Sequence, residues 1–262
     1  MRILVCVKRV PAPGAKISVT ADGQDVDAAH LGFTTSPHEE CALEGAVQLV
    51  EEHGGEVTVL TLGVGEAEEQ LRYAVSVGAA HAVLVRADSN AWDPQRTAAA
   101  LTSVIQGIEG MEADGGAFDL ILFGNESADA GGFQVGIRVA HALGRPIVNG
   151  IKGIEVSGDG TGEGTVTARR EIDRGFEVYQ LPRPCVLGVM EGLNLPRYPT
   201  MRGRLASKKL EVDTVEGDAP PGGQERVGLH RPAETVSETV ILGAGADAAP
   251  AVVDVLEELG VL

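Results

Sequence analysis

The chain has 262 residues, with 38 acidic and 21 basic side chains and a formal net charge of −17. That balance excludes nonspecific binding to nucleic acid or to an anionic membrane surface. Hydrophobic residues make up 44% of the chain but aromatics only 3%, so a sizeable core is available and must be packed from Ala, Val and Leu.

The first apolar run, Ile3 to Val7, meets Lys8-Arg9 too early to be a signal peptide. Ser36-Pro37-His38-Glu39 has capping-box spacing with proline at the first helical position. It predicts a helix over 37–53, with Leu43, Ala46, Val47 and Val50 on one face. A second strand, Val57 to Leu62, is followed by a helix over 66–78 carrying Leu71, Ala74 and Val75. Ala82 to Val85 is the third strand, and Asp93-Pro94 starts a helix over 94–108. Leu120 to Phe123 is the fourth strand, and a helix running to about Leu143 follows its loop. Short continuous apolar strands separated by helices predict an α/β fold, doubly wound around a mostly parallel sheet.

Beyond residue 150 the pattern changes. The turns Ser157 to Gly160 and Asp173 to Gly175 bracket Thr165-Val166-Thr167, and Phe176 to Tyr179 alternates, which predicts a short antiparallel meander. Cys185 to Val189 reads as one more buried strand, and 190–204 as a polar loop rich in proline and arginine. From 210 onward the chain is poor core material. We expect a domain over 1–209 and an extended C-terminal arm over 210–262, closed by a helix from Ala249 to Leu259. Gly243 to Ala248 resembles a dinucleotide fingerprint, but too few residues follow for a second strand, so a loop is expected. No apolar run approaches the ~18 residues that span a bilayer. The three isolated cysteines, Cys6, Cys41 and Cys185, point to neither a disulfide framework nor a zinc site. A cytoplasmic protein without membrane insertion is expected.

Ligands of open parallel sheets bind at the carboxyl ends of strands. Three loops qualify, after Val7, after Leu62 and after Phe123. The last, Gly124 to Gly136, is rich in glycine and opens a helix, so its backbone N–H groups suit a phosphate. A bland tight turn is the competing reading, since the loop lacks the lysine and spacing of a P-loop. The six histidines show no metal-ligand spacing, and no nucleophile sits beside a base, so neither a metal site nor a catalytic residue is assigned. Residues 194–209 are basic in an acidic chain, as a partner-docking site or a solvated loop would be.

Several motifs in order then resemble the β subunit of the electron-transferring flavoproteins. They are Val7-Lys8-Arg9-Val10-Pro11, Ser36-Pro37 leading into Glu40 to Val47, and Leu71-Arg72 to Gly78-Ala79. Gly124-Asn125-Glu126-Ser127 with Gln134-Val135-Gly136 and Arg170-Glu171-Ile172-Asp173 continue the series. Pro196-Arg197-Tyr198-Pro199-Thr200 with Lys208-Lys209 is the most specific element. The resemblance implies an adenine-nucleotide-binding fold, paired with an α subunit that holds most of a FAD site. It implies a structural AMP in this chain, or a second FAD in its place in members that bifurcate electrons. Flavin dehydrogenases would donate electrons and a quinone oxidoreductase or another acceptor would receive them.

By the same resemblance, Cys6 and Leu62 should lie against the adenine, with Ser36, Pro37, His38 and Glu39 beside it. Gly124, Asn125, Glu126, Ser127, Ala128, Asp129, Ala130, Gly131, Gly132, Phe133, Gln134 and Val135 should wrap the ribose and phosphate. Met201 should be the plug of a docking loop that includes Pro196, Arg197 and Tyr198. Ser36 stands where many members have Asn, and Gly124-Asn125-Glu126 replaces Gly-Lys-Gln. A stand-alone nucleotide-binding stress-type protein is the alternative of a different class, and the long C-terminal arm argues against it.

Overall fold

The computed structural model describes residues 1–89, 92–111, 116–158, 164–233 and 239–262. They fall into two compact units, Met1–Leu229 and His230–Leu262. The expected turn at Asp159-Gly160 lies outside the described residues.

In the first unit β1 is Arg2–Val7, and the two-residue strands β2, Val10–Pro11, and β3, Phe33–Thr34, pair with each other. Helix α1 is Pro37–His53, β4 is Glu56–Gly63, α2 is Glu68–Val77 and β5 is His81–Arg86. Then come α3, Pro94–Met111, β6, Leu120–Gly124, α4, Val135–Ala142, and β7, Ile147–Val156. Strands β8, Thr165–Ile172, β9, Gly175–Pro182, and β10, Cys185–Val189, precede α5, Met201–Lys209, and β11, Asp213–Glu216.

The sheet order is β11-β5-β4-β1-β6-β10-β7-β8-β9. It is parallel from β11 through β7 and antiparallel through β7, β8 and β9. The continuous apolar runs are buried on both faces, as parallel pairing requires. Ile3, Val5 and Val7 face the core under α1 and α2, whereas Leu4 and Cys6 face the core under α3 and α4. That alternation is the two-residue period of a strand.

The structure differs from the sequence reading in three places. Strand β7 is not expected from the sequence because Asn149-Gly150 and Lys152-Gly153 interrupt its apolar pattern, and Gly150, at φ 73°, bends it. The expected loop 190–204 ends in α5. The Thr200 hydroxyl accepts from the Gly203 N–H, and the Arg72 guanidinium donates to the Ser207 and Leu210 carbonyls at the other end. Residues 213–216, placed in the arm by composition, instead add β11 to the sheet edge beside β5. Residues 217–229 follow along the same unit. Gly222 N–H donates to Asp93, Arg96 Nε to the Ala219 carbonyl, Arg226 Nη1 to the Gln24 carbonyl, and Leu229 N–H to the Gly23 carbonyl.

The second unit holds a single 3-10 turn, Gly245–Ala248, leading into α6, Ala249–Glu258, and none of its described residues is buried. Among the described residues no helix is long and apolar enough to cross a membrane.

Helix α5 lies against α2 at Gly203, where an added Cβ would stand 2.0 Å from the Ser76 carbonyl oxygen. Gly203→Ala should therefore push the two helices apart and lower stability by about 1–3 kcal/mol. Gly107, on the exposed side of α3, has nothing within 4 Å of such a Cβ. Gly107→Ala should raise stability by up to about 1 kcal/mol through helix propensity alone. Denaturant melts of both variants check the contrast.

Candidate nucleotide site

Strand β1 lies between β4 and β6, where the order of strands reverses along the sheet. The helix-bearing connections leave to opposite faces there, opening a crevice beyond the carboxyl ends of β1 and β6. The side walls of this crevice are the first turn of α1 and the loop from Gly124 to Gln134. Thr61, a polar residue within an apolar strand, donates its hydroxyl to the Val7 carbonyl at 2.7 Å and fixes the ends of β1 and β4 together.

Glu39 is the centre of the first wall. The capping box turns its carboxylate back toward the Ser36 N–H, which donates to Oε2 at 3.3 Å. Lys8 N–H, from the end of β1, donates to the same oxygen at 3.1 Å. Oε1 has no hydrogen-bond partner among the described residues. Gly124 closes on this group from β6, since a Cβ there would stand 2.7 Å from Glu39 Cγ and 3.2 Å from His38 Cβ. Burial pushes the Glu39 carboxyl up to about 8, against the pull of its two N–H donors and of Lys8. Burial also pushes the neighbouring Cys6 thiol up, with Glu39 adding to the effect, so Cys6 is an inert apolar wall. The Ser36 hydroxyl is buried without a partner, because the Glu39 N–H donates to the Ser36 carbonyl instead.

The second wall is acidic in side chains and rich in free donors. Lys8 Nζ reaches both carboxylate oxygens of Asp129 at 2.7 Å, joining the β1 loop to the β6 loop. Burial works to raise the Asp129 carboxyl, but the Lys8 ammonium together with hydrogen bonds from the Ser127 side chain and the Ala130 N–H holds the group below its ordinary value. His38 accepts the Glu191 N–H at Nδ1, 2.8 Å, and its Nε2 stands 3.7 Å from Glu126 Oε1. Gly131 has φ 54° and Phe133 φ 53°. For an aromatic residue that is strained backbone, the kind that clusters at ligand sites. No acceptor among the described residues takes the backbone N–H of Gly132, Phe133 or Gln134. These three groups stand at the N-terminus of α4, and the space before Gly132 is open, with only Pro94 Cγ at 3.8 Å from an added Cβ. The donor set fits a phosphate by backbone N–H and helix dipole. The buried Ser36 hydroxyl fits a further polar group of the same ligand.

The structure thus brings Cys6, Ser36 to Glu39, Leu62 and Gly124 to Val135 to one end of the sheet. Lys8 and Thr61 join them, and sequence reasoning did not single out either as a site residue. The alternation of Thr61 with apolar neighbours and the position of Lys8 directly after β1 were the available signals. Pro196, Arg197, Tyr198 and Met201 form a separate surface. Arg197 is committed to α1, with Nε 2.7 Å from Glu44 and Nη1 2.6 Å from Glu51, and these hydrogen bonds raise its own pKa. Tyr198 and Met201 are 91% and 74% exposed. No group of three His, Cys, Asp or Glu among the described residues could hold a metal ion.

A proton held by Glu39 in the folded chain is released by the unfolded chain, where its ordinary value is 4.5. Its stabilising contribution is therefore complete below about 4.5 and is lost as pH rises toward 8. Melting temperature should fall between pH 5 and 9 more steeply for the wild type than for Glu39→Gln, which thermal melts across that range will read.

Residues 26–220 match the family described as "Electron transfer flavoprotein domain". The chain is 36% identical over 220 residues to the electron transfer flavoprotein subunit beta of Syntrophomonas wolfei, covering 84% of this chain and 81% of that one. The subunit beta of Bacillus subtilis is 32% identical over 83% of this chain and 80% of its own. That of Mycobacterium leprae is 32% identical over 91% of each.

Proposed function

The chain belongs to the electron transfer flavoprotein β subunits, and from that premise we propose that it is an electron-carrier subunit holding AMP between β1 and β6. The reading rests on the three unclaimed N–H groups of Gly132, Phe133 and Gln134 at the start of α4. They would take the phosphate. Ser36 and the Glu39 turn would face the sugar or base, and Cys6 and Leu62 would give the apolar wall. The AMP would tie β1, α1 and the β6 loop together and take no part in redox chemistry. FAD held mainly by an α subunit would carry the electrons, received from flavin dehydrogenases and passed to a quinone oxidoreductase or similar acceptor. This chain would contribute no catalytic residue, and it would work in the cytoplasm.

Docking of the dehydrogenase is assigned to Met201. Its exposed side chain opens α5, and Tyr198 and Leu195, earlier in the same segment, are 91% and 88% exposed. An exposed flexible thioether on a segment with other exposed apolar residues fits the pocket-filling anchor of an interface. Arg197 serves this surface as a brace, because its guanidinium is held by Glu44 and Glu51. The free charges that orient an acidic partner are then Arg202, Arg204, Lys208 and Lys209, which act on association rate and are screened by salt.

Acid extraction and chromatography of the α–β complex should yield one AMP per β chain. A second FAD in its place would identify the bifurcating type. Gly132→Val should release this nucleotide while leaving the melting temperature of the nucleotide-free protein within a degree or two, since a Cβ there makes only an ordinary contact with Pro94, at 3.8 Å. Met201→Ala should raise the apparent Michaelis constant for a reduced dehydrogenase by the equivalent of about 1–3 kcal/mol of docking. Its flavin spectrum, nucleotide content and melting temperature should match the wild type. An early melt or unchanged kinetics would remove Met201 from the docking role.

A further inference from the structure

The nucleotide crevice is an uncommon place to put a phosphate, because three carboxylates, Glu39, Glu126 and Asp129, stand on its walls. Its lysine, Lys8, is already engaged by Asp129 at 2.7 Å. Arg138, one turn into α4, turns its guanidinium onto Gln134 Oε1 at 3.0 and 3.2 Å. A dianionic ligand brought into this field meets like charge, which disfavours binding unless one carboxylate is neutral.

Glu39 is placed to be that neutral group. It is 6% exposed, and Gly124 presses against its side chain from β6. The groups that face it are the Lys8 and Ser36 N–H donors, the Lys8 ammonium, the Asp129 carboxylate and the Cys6 thiol. Both N–H donors go to Oε2, so that oxygen is an acceptor in either protonation state. A proton on Glu39 then sits on Oε1, the oxygen without a protein partner, and can be donated outward.

We propose that Glu39 binds the nucleotide as a neutral carboxyl, donating the Oε1 proton to an oxygen or ring nitrogen of the ligand, so that binding takes up a proton at alkaline pH. This rests on the nucleotide reading of the crevice given above. Ionisation removes the donor and adds a buried negative charge to a crevice that takes an anionic ligand, and both effects weaken binding. Glutamine at this position keeps an acceptor for the two N–H groups and a donor in place of the Oε1 proton, and it does not titrate.

The test uses the full chain in complex with its α subunit, stripped of nucleotide, with AMP as the probe. With Glu39 titrating at about 8, the dissociation constant of the wild type should rise about tenfold between pH 7 and pH 9. Glu39→Gln should bind with nearly the same affinity at both. Should that variant fail to fold, calorimetry of the wild type at pH 8.5 in buffers of different ionisation enthalpy gives the same information, with uptake of most of one proton per AMP expected. A wild-type affinity that is flat between pH 7 and 9, an equal loss in Glu39→Gln, or zero proton uptake would overturn the role of Glu39 while leaving the nucleotide site intact. AMP that binds at neither pH would overturn the nucleotide reading and this proposal with it.

Discussion

The approach of Gly124 to the first turn of α1 sets the rest of the site. A side chain at Gly124 would meet Glu39 Cγ at 2.7 Å, so β6 can end against α1 only because that residue is glycine. The close approach encloses the Glu39 carboxyl, and enclosure, more than any charged neighbour, displaces its titration. It also puts Asn125 next to β10, where the Asn125 N–H donates to the Val189 carbonyl. The loop beyond is then carried across the top of β1, where Lys8 can reach Asp129. A parallel sheet supplies the crevice, but this one glycine lets the end of β6 close on the first turn of α1.

A second close contact organises the proposed docking surface. Gly203 lets α5 lie on the Ser76 carbonyl of α2, and Arg72 from α2 holds the far end of α5. The segment leading into α5 is fixed on the other side, by Arg197 to Glu44 and Glu51 and by Asn194 to the Cys41 carbonyl. Glu44 is itself 5% exposed, so its partial desolvation makes the bridge stiffer than a surface ion pair. Met201 is thus an exposed apolar side chain on a braced helix terminus, and bracing lowers the ordering entropy of docking. The same helix α1 carries Glu39 at its first turn and Glu44 and Glu51 further along. The proposed nucleotide site and the proposed docking surface therefore share one helix.

Strands β1, β4 to β6 and β8 to β10, helices α1 to α4 and the end of the sheet that carries the candidate site were legible in the sequence because they depend on local patterns. Continuous Val, Leu and Ile runs mark strands buried on both faces, and the three-and-four spacing of apolar residues marks the helices. Ser36 to Glu39 announced its own cap, and the capping geometry already implied that Glu39 turns back toward the chain end. What was missed had no local signature. Residues 213–229 have no continuous apolar run, and their backbone groups are held by hydrogen bonds to β5, α3 and the 20–25 loop, which residues of almost any type can make. Helix α5 reads as a loop until Arg72 and Ser76 come from another part of the chain to receive it.

The sequence by itself therefore determined the layer architecture, the carboxyl-end location of the candidate site and the family resemblance, because periodicity and short motifs are properties of neighbours along the chain. The tertiary structure decided the electrostatics. Whether Lys8 meets Asp129, whether Arg197 is free or braced, and whether Glu39 is buried enough to keep a proton near neutrality all depend on residues 31 to 153 positions apart. Coulomb and desolvation energies follow distance through space and the surrounding dielectric, and neither is written in the order of the residues.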